Sequence, residues 1–146
     1  MKALKIFKDL VAFLTIIPLT KDESFAETSA RYMFLFPVVG GVIGLFTAVY
    51  FQLCIALFSL ISPILKTLLG SLESLFVKVF SSGATLSFLL VLTGLQHFDG
   101  LVDLGNAFGF KSLEERRFVA HAWIVTYKGA FLAVLVEFLA FMGIFL

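Results

Sequence analysis

The stretch YMFLFPVVGGVIGLFTAVYFQLCIALFSLISPIL, residues 32–65, runs for thirty-four positions without Asp, Glu, Lys, Arg or His. An α-helix rises about 1.5 Å per residue, so about 20 apolar residues cross the hydrocarbon of a bilayer. This run exceeds that length and predicts a membrane-spanning helix over about residues 33–60. Pro37 lies near its start and Pro63 near its end. Between them, Phe36-Pro37-Val38-Val39-Gly40-Gly41-Val42-Ile43-Gly44 places three glycines within five positions. Gly40 and Gly44 form a GxxxG pair, which lets a second helix approach closely. The alternative is a helix broken there to expose backbone groups to a ligand.

Toward the C-terminus, Lys66–Lys78 reads as an amphipathic connector, and Val79–Phe98 is a second run of twenty residues without Asp, Glu, Lys or Arg. A span is expected over about 77–97. A third is expected from Ile124 to Leu146, with Lys128 near its start and Glu137 near its middle. Nine residues apart on one helix, those two point to opposite sides. A carboxylate at bilayer depth is costly and should face other helices or a polar cavity.

Toward the N-terminus, Lys2, Lys5 and Lys8 precede a short apolar segment. It superficially resembles a leader, but Pro18-Leu19-Thr20-Lys21 lacks the small residues of a cleavage site. The segment is also short for a full span. An interfacial or re-entrant helix ended by Pro18 is expected, followed by a polar loop over residues 20–31. The fold class is all-α: a polytopic membrane helical bundle of about three transmembrane helices plus that N-terminal helix, forming one membrane domain over residues 1–146.

Composition agrees. Charged residues make up 14% of the chain, against about 25% in average domains, and mean hydropathy is +1.06. A net charge of +1 offers no broad basic face, so nucleic acid is not an expected partner. Cys54 is the single cysteine, which leaves no disulfide within the chain. With three spans, Lys2, Lys5, Lys8, Lys21, Arg31, Lys111, Arg116, Arg117 and Lys128 share one side, and Lys66 and Lys78 the other. Positive residues favour the cytoplasm. The N-terminus and residues 97–123 are therefore expected there, in a multi-pass protein of the cell membrane.

The chemistry concentrates in His97-Phe98-Asp99-Gly100-Leu101-Val102-Asp103-Leu104-Gly105-Asn106, where two of the chain's ten acidic residues follow an uncharged run. On a helix, Asp99, Asp103 and Asn106 share one face. Two carboxylates one turn apart repel unless a cation lies between them. Oxygen ligands of this kind suit Mg²⁺, which takes one or two carboxylates and completes its shell with water and substrate phosphate. A solvated membrane boundary is the plain alternative. Farther on, Ser112 with Glu115 reads as a capping box that starts a short surface helix.

Three segments resemble one family, cobalamin-5′-phosphate synthase, also called adenosylcobinamide-GDP ribazoletransferase. Thr93-Gly94-Leu95-Gln96-His97-Phe98-Asp99-Gly100-Leu101-Val102-Asp103 is similar to its His-x-Asp-Gly-Leu-x-Asp signature. Ala12–Pro18 is similar to its Phe-Leu-Thr-x-x-Pro, and Phe36–Gly44 to its Phe-Pro-x-Val-Gly-x-x-x-Gly. The resemblance implies a Mg²⁺-dependent membrane transferase of cobalamin biosynthesis. It would join adenosylcobinamide-GDP to α-ribazole or its 5′-phosphate and release GMP. It assigns metal binding to Asp99 and Asp103, catalysis to these two and His97, and substrate contacts to Asn106, Arg116, Arg117 and His121. His97 would orient a ligand or act as general base, and the arginines would clamp phosphate or, equally, anchor the chain at the cytoplasmic interface. Two departures stand out. The family's third aspartate, in Asp-x-x-Asp-Gly, is here Asn106-Ala107, and its downstream Met-x-Asp-x-x-Ile-Gly is absent from the region around His121.

A non-catalytic relative acting as a membrane scaffold or binding subunit is the alternative expectation. The CDP-alcohol type of phosphotransferase ranks below both, because Val102-Asp103 stands where that family needs Ala-Arg. Because three spans hardly enclose a corrinoid, a homo-oligomer in membrane lipid is expected, with Gly40 and Gly44 at a helix contact.

Overall fold

A computed structural model of the protein describes residues 2–19, 25–120 and 124–146. Among these residues there are helices and no strands. The chain forms two compact units, Met1–Gly94 and Leu95–Leu146.

The first unit opens with α1 (Lys2–Leu14), an amphipathic helix that buries Asp9 and Leu10 and leaves Lys2, Lys5 and Lys8 exposed. It ends at Leu14, four residues before Pro18. Thr15 Oγ1 turns back to the Val11 carbonyl, and the Ile16 N–H donates to the Leu92 carbonyl at 2.8 Å. The short α2 (Phe25–Arg31) packs on α1. One turn of 3₁₀-helix (Met33–Leu35) leads into α3 (Phe36–Leu60), 25 residues long. Pro37 falls in its first turn, where a missing N–H breaks no helical bond, so the proline starts the helix and does not interrupt it. Pro63 stands in the same place in α4 (Ser62–Leu69).

Gly70 (φ +57°) opens a single 3₁₀ turn, Gly70–Leu72, and α5 (Glu73–Leu92) follows with 20 residues. The second span thus begins several residues before the expected 77. It stops at Leu92, although sequence without Asp, Glu, Lys or Arg continues to Phe98, because Gly94 and Leu95 both adopt left-handed backbone (φ +63° and +60°). A left-handed glycine ends a helix cheaply; the same conformation at Leu95 costs energy.

α3 and α5 pack as an antiparallel pair. Tyr50 stacks on Phe88 with centroids 4.3 Å apart, and Phe58 meets Phe80 at 6.3 Å. The seam on α5 is small and polar: Ser81, Ser82 and Thr85 are fully buried. Small side chains allow close approach where lipid offers no hydrophobic drive. Ser82 and Thr85 return their hydroxyls to carbonyls one turn back, at 2.8 and 2.7 Å, so these two carry no unmet demand into the bilayer, whereas the Ser81 hydroxyl has no partner.

The second unit holds α6 (Gln96–Ala107), α7 (Leu113–Ala120) and α8 (Tyr127–Phe145). The Glu115 N–H donates to Ser112 Oγ at 3.1 Å, the N-terminal cap that the sequence signals. Among the described residues three stretches, Met33–Leu60, Ser62–Leu92 and Tyr127–Phe145, are long and apolar enough to cross a membrane. The protein is an all-α integral membrane protein.

Gly40, Gly41 and Gly44 lie within continuous α3, and a methyl group added at any of them would meet nothing within 4 Å. The broken-helix alternative is thereby excluded in favour of an unbroken helix with an open glycine strip.

Candidate functional site

The site begins at α6. Its first full helical bond, from the Asp99 N–H to the Leu95 carbonyl at 2.9 Å, sets Asp99 in the opening turn, where the positive end of the helix dipole favours a carboxylate. Asp103 follows one turn later. Asp99 is exposed and Asp103 half-buried, and no hydrogen bond or ion pair among the described residues occupies either carboxylate. Gln96 precedes Asp103 by seven residues, two turns, and lies on the same side of the helix. The sequence reading passed over Gln96, although its i, i+7 spacing to Asp103 was visible.

His97 is placed differently. It is two residues from Asp99 on one helix, hence about 200° around the axis, and it is exposed. α6 therefore does not bring His97 beside the acidic pair.

Asn106 also departs from the expected role. It is 2% exposed and lies in the seam between α6 and α8. Its Oδ1 accepts from Thr126 N–H at 2.9 Å and from Thr126 Oγ1 at 2.8 Å, and its Nδ2 donates to the Ile124 carbonyl. Thr126 in turn caps α8, its hydroxyl accepting from the Gly129 N–H at 3.2 Å. Three of the four hydrogen bonds an amide side chain can make are thus spent on structure. Asn106 has one donor hydrogen left, and no oxygen turned toward the carboxylates.

The seam depends on two glycines. A Cβ at Gly105 would lie 2.6 Å from Gly129 Cα and 2.7 Å from the Lys128 carbonyl oxygen, and one at Gly129 would strike Asn106 Oδ1. Lys128 completes the junction. Its amine donates to the Phe108 carbonyl at 3.3 Å, at the C-terminal end of α6, where carbonyls are unsatisfied and a cation is favoured.

Arg116 lies against the C-terminal end of α6. With Leu104, Ala107, Phe108 and Gly109 it lines one small open depression, and Ala107 follows Asp103 by one turn. The Arg116 Nε donates to the Phe110 carbonyl at 2.6 Å, which fixes the direction of the guanidinium. Arg117 is exposed on α7. His121 lies outside the described residues.

Among the described residues no group of three or more His, Cys, Asp or Glu side chains gathers as a metal cage. Two unengaged carboxylates one turn apart still fit a Mg²⁺ that keeps its waters and borrows oxygens from a phosphorylated substrate.

A helical membrane protein that presents paired carboxylates one turn apart offers oxygen ligands of the kind a divalent cation takes. The family follows from comparison. The model of the family described as cobalamin-5-phosphate synthase matches residues 6–145, and the chain belongs to that family, within cobalamin biosynthesis. It is similar to an adenosylcobinamide-GDP ribazoletransferase of Picrophilus torridus, 28% identical over 112 residues, covering 77% of this chain and 36% of that protein. The chain thus matches little more than a third of that relative's length. No solved structure matches it.

Proposed function

We propose that the protein takes part in joining adenosylcobinamide-GDP to α-ribazole or its 5′-phosphate, with release of GMP. The observation that carries this is the unengaged Asp99–Asp103 pair on α6 of a chain of this family. In the reaction, a ribazole hydroxyl oxygen bonds to the phosphorus that bears the corrinoid. The phosphoanhydride P–O bond breaks, and GMP leaves with the bridging oxygen while the hydroxyl proton passes to a base.

Bound by Asp99 and Asp103, Mg²⁺ would offset the charge on the pyrophosphate and on the departing GMP. Arg116, its Nε anchored on the Phe110 carbonyl beside the C-terminal end of α6, keeps its remaining N–H groups available to hold a phosphate. The Asn106–Thr126 lock and the Gly105–Gly129 contact keep α6 fixed against α8, and so hold the carboxylates in one orientation. The weight of Lys and Arg on the side of residues 1–31 and 97–128 favours a cytoplasmic site, where nucleotides are found.

The test is incubation of the purified protein with adenosylcobinamide-GDP, α-ribazole and Mg²⁺, with GMP measured. Release that depends on Mg²⁺ and falls in Asp99→Asn and Asp103→Asn supports the assignment. Release untouched by both substitutions removes it, and no release at all favours the scaffold or binding-subunit alternative.

A further inference from the structure

We propose that Asp9 and Ser29 form a small oxygen-lined site for a monovalent alkali cation between the first two helices, apart from the α6 carboxylates.

Asp9 is 1% exposed and Ser29 is 0% exposed, yet neither carboxylate oxygen of Asp9 nor the Ser29 hydroxyl has a hydrogen-bond partner. Register places the two positions at the same level of the α1–α2 pair. α1 and α2 pack together, with Phe13 and Phe25 in ring contact at 6.4 Å. Asp9 lies one turn before Phe13 on the same face of α1, and Ser29 one turn after Phe25 on the same face of α2. In an antiparallel helix pair, one step back on the first strand of the hairpin meets one step forward on the second. The Asp9–Ser29 pair therefore occupies the level next to Phe13–Phe25.

Buried polar groups in folded proteins are nearly always partnered, and an isolated buried carboxylate is among the costliest exceptions. Two unpartnered groups at facing positions point to one shared ligand. Among the described residues no hydrogen bond from a neighbouring cation reaches Asp9. Lys8 is the next residue on α1 and is exposed. Arg31 is exposed two residues beyond Ser29, about 200° around α2. None of them hydrogen-bonds Asp9. Glu27, also exposed and two residues before Ser29, adds no positive charge.

What remains is a set of three buried hard oxygens bearing a single negative charge. That matches an ion of one positive charge. Mg²⁺ demands near-ideal octahedral geometry and gives up its waters reluctantly, and it fits a buried, singly charged site poorly.

The experiment is thermal melting of the full chain in nanodiscs of zwitterionic lipid, with NaCl or KCl replacing choline chloride at constant ionic strength. The wild type is expected to gain melting temperature with Na⁺ or K⁺ and to saturate. Ser29→Ala should need about fivefold more cation to reach half of the shift, the factor for one lost polar contact. Asp9→Asn should give a flat curve. A flat wild-type curve overturns the proposal, as does a full response in Asp9→Asn. Should Asp9→Asn not fold, an unchanged midpoint in Ser29→Ala overturns it equally.

Discussion

Asn106 Oδ1 accepts two hydrogen bonds from Thr126, one from its N–H at 2.9 Å and one from its hydroxyl at 2.8 Å. One side-chain oxygen at the end of α6 therefore fixes the residue that caps α8. The resemblance would make this position a ligand; the fold makes it a fastener.

Asn106→Asp tests the fastener. The change keeps the acceptor but removes the donor to Ile124 and sets a carboxylate oxygen against that carbonyl. A stability loss of about 1–3 kcal/mol is expected, the usual cost of a buried polar group left unsatisfied. Thr126→Ala should cost about 1 kcal/mol through loss of the α8 cap. Denaturation of the purified protein in detergent measures both.

The glycine seam gives a contrast within one residue type. Gly105→Ala and Gly129→Ala each force an added carbon into backbone or into Asn106, and should destabilise by about 1–3 kcal/mol. Gly40→Ala and Gly44→Ala meet open space, and as alanines in a helix they should leave folding unharmed. Equal losses at all four positions would contradict this account.

The open glycine strip of α3 bears on assembly. If Gly40 and Gly44 meet a helix of a second copy, Gly40→Ile with Gly44→Ile should shift the protein in nanodiscs or mild detergent from a larger species to the monomer, with melting temperature kept. Light scattering distinguishes the species. An unchanged mass would remove these glycines from the contact.

At the acidic pair, Asp99→Asn and Asp103→Asn should each lower GMP release on the order of 100-fold, because a metal's electrostatic contribution is worth several kcal/mol. His97→Ala should change release far less, since α6 turns His97 away from the pair. A loss at His97 equal to that at Asp99 would show that the imidazole reaches the reacting groups after all.

The two arginines should also separate. Arg116→Gln should weaken release more than Arg117→Gln, and Arg116→Lys should not restore it, because an ammonium cannot reproduce a planar, bidentate guanidinium. Steady-state release across substrate concentration reads the difference as a rise in KM.

The spans were legible because charge-free length is a one-dimensional property: Tyr32–Leu65 announces α3 without reference to any partner. The Ser112 cap was legible for the same reason, its partner being three residues away. The boundary at Leu92 was hidden, since hydrophobicity continues through Leu95 and only the left-handed backbone at Gly94 and Leu95 ends the helix. The Gly105–Gly129 contact joins residues with no shared motif, while the GxxxG pair that sequence favours is open in this chain. The Asp99–Asp103 spacing could be read directly. That Asn106 faces inward could not be, because its partners lie eighteen and twenty residues away. Nor could the burial of Asp9, which a lysine-rich amphipathic helix would be expected to leave in water.

The codons for asparagine and aspartate differ by a single base, so the family's third acid is one mutational step from this gene. What opposes that step is the Ile124 carbonyl, which takes the amide hydrogen that aspartate lacks. A lineage taking it would gain by refastening the start of α8 by other means. The fold thus favours one order for those two changes.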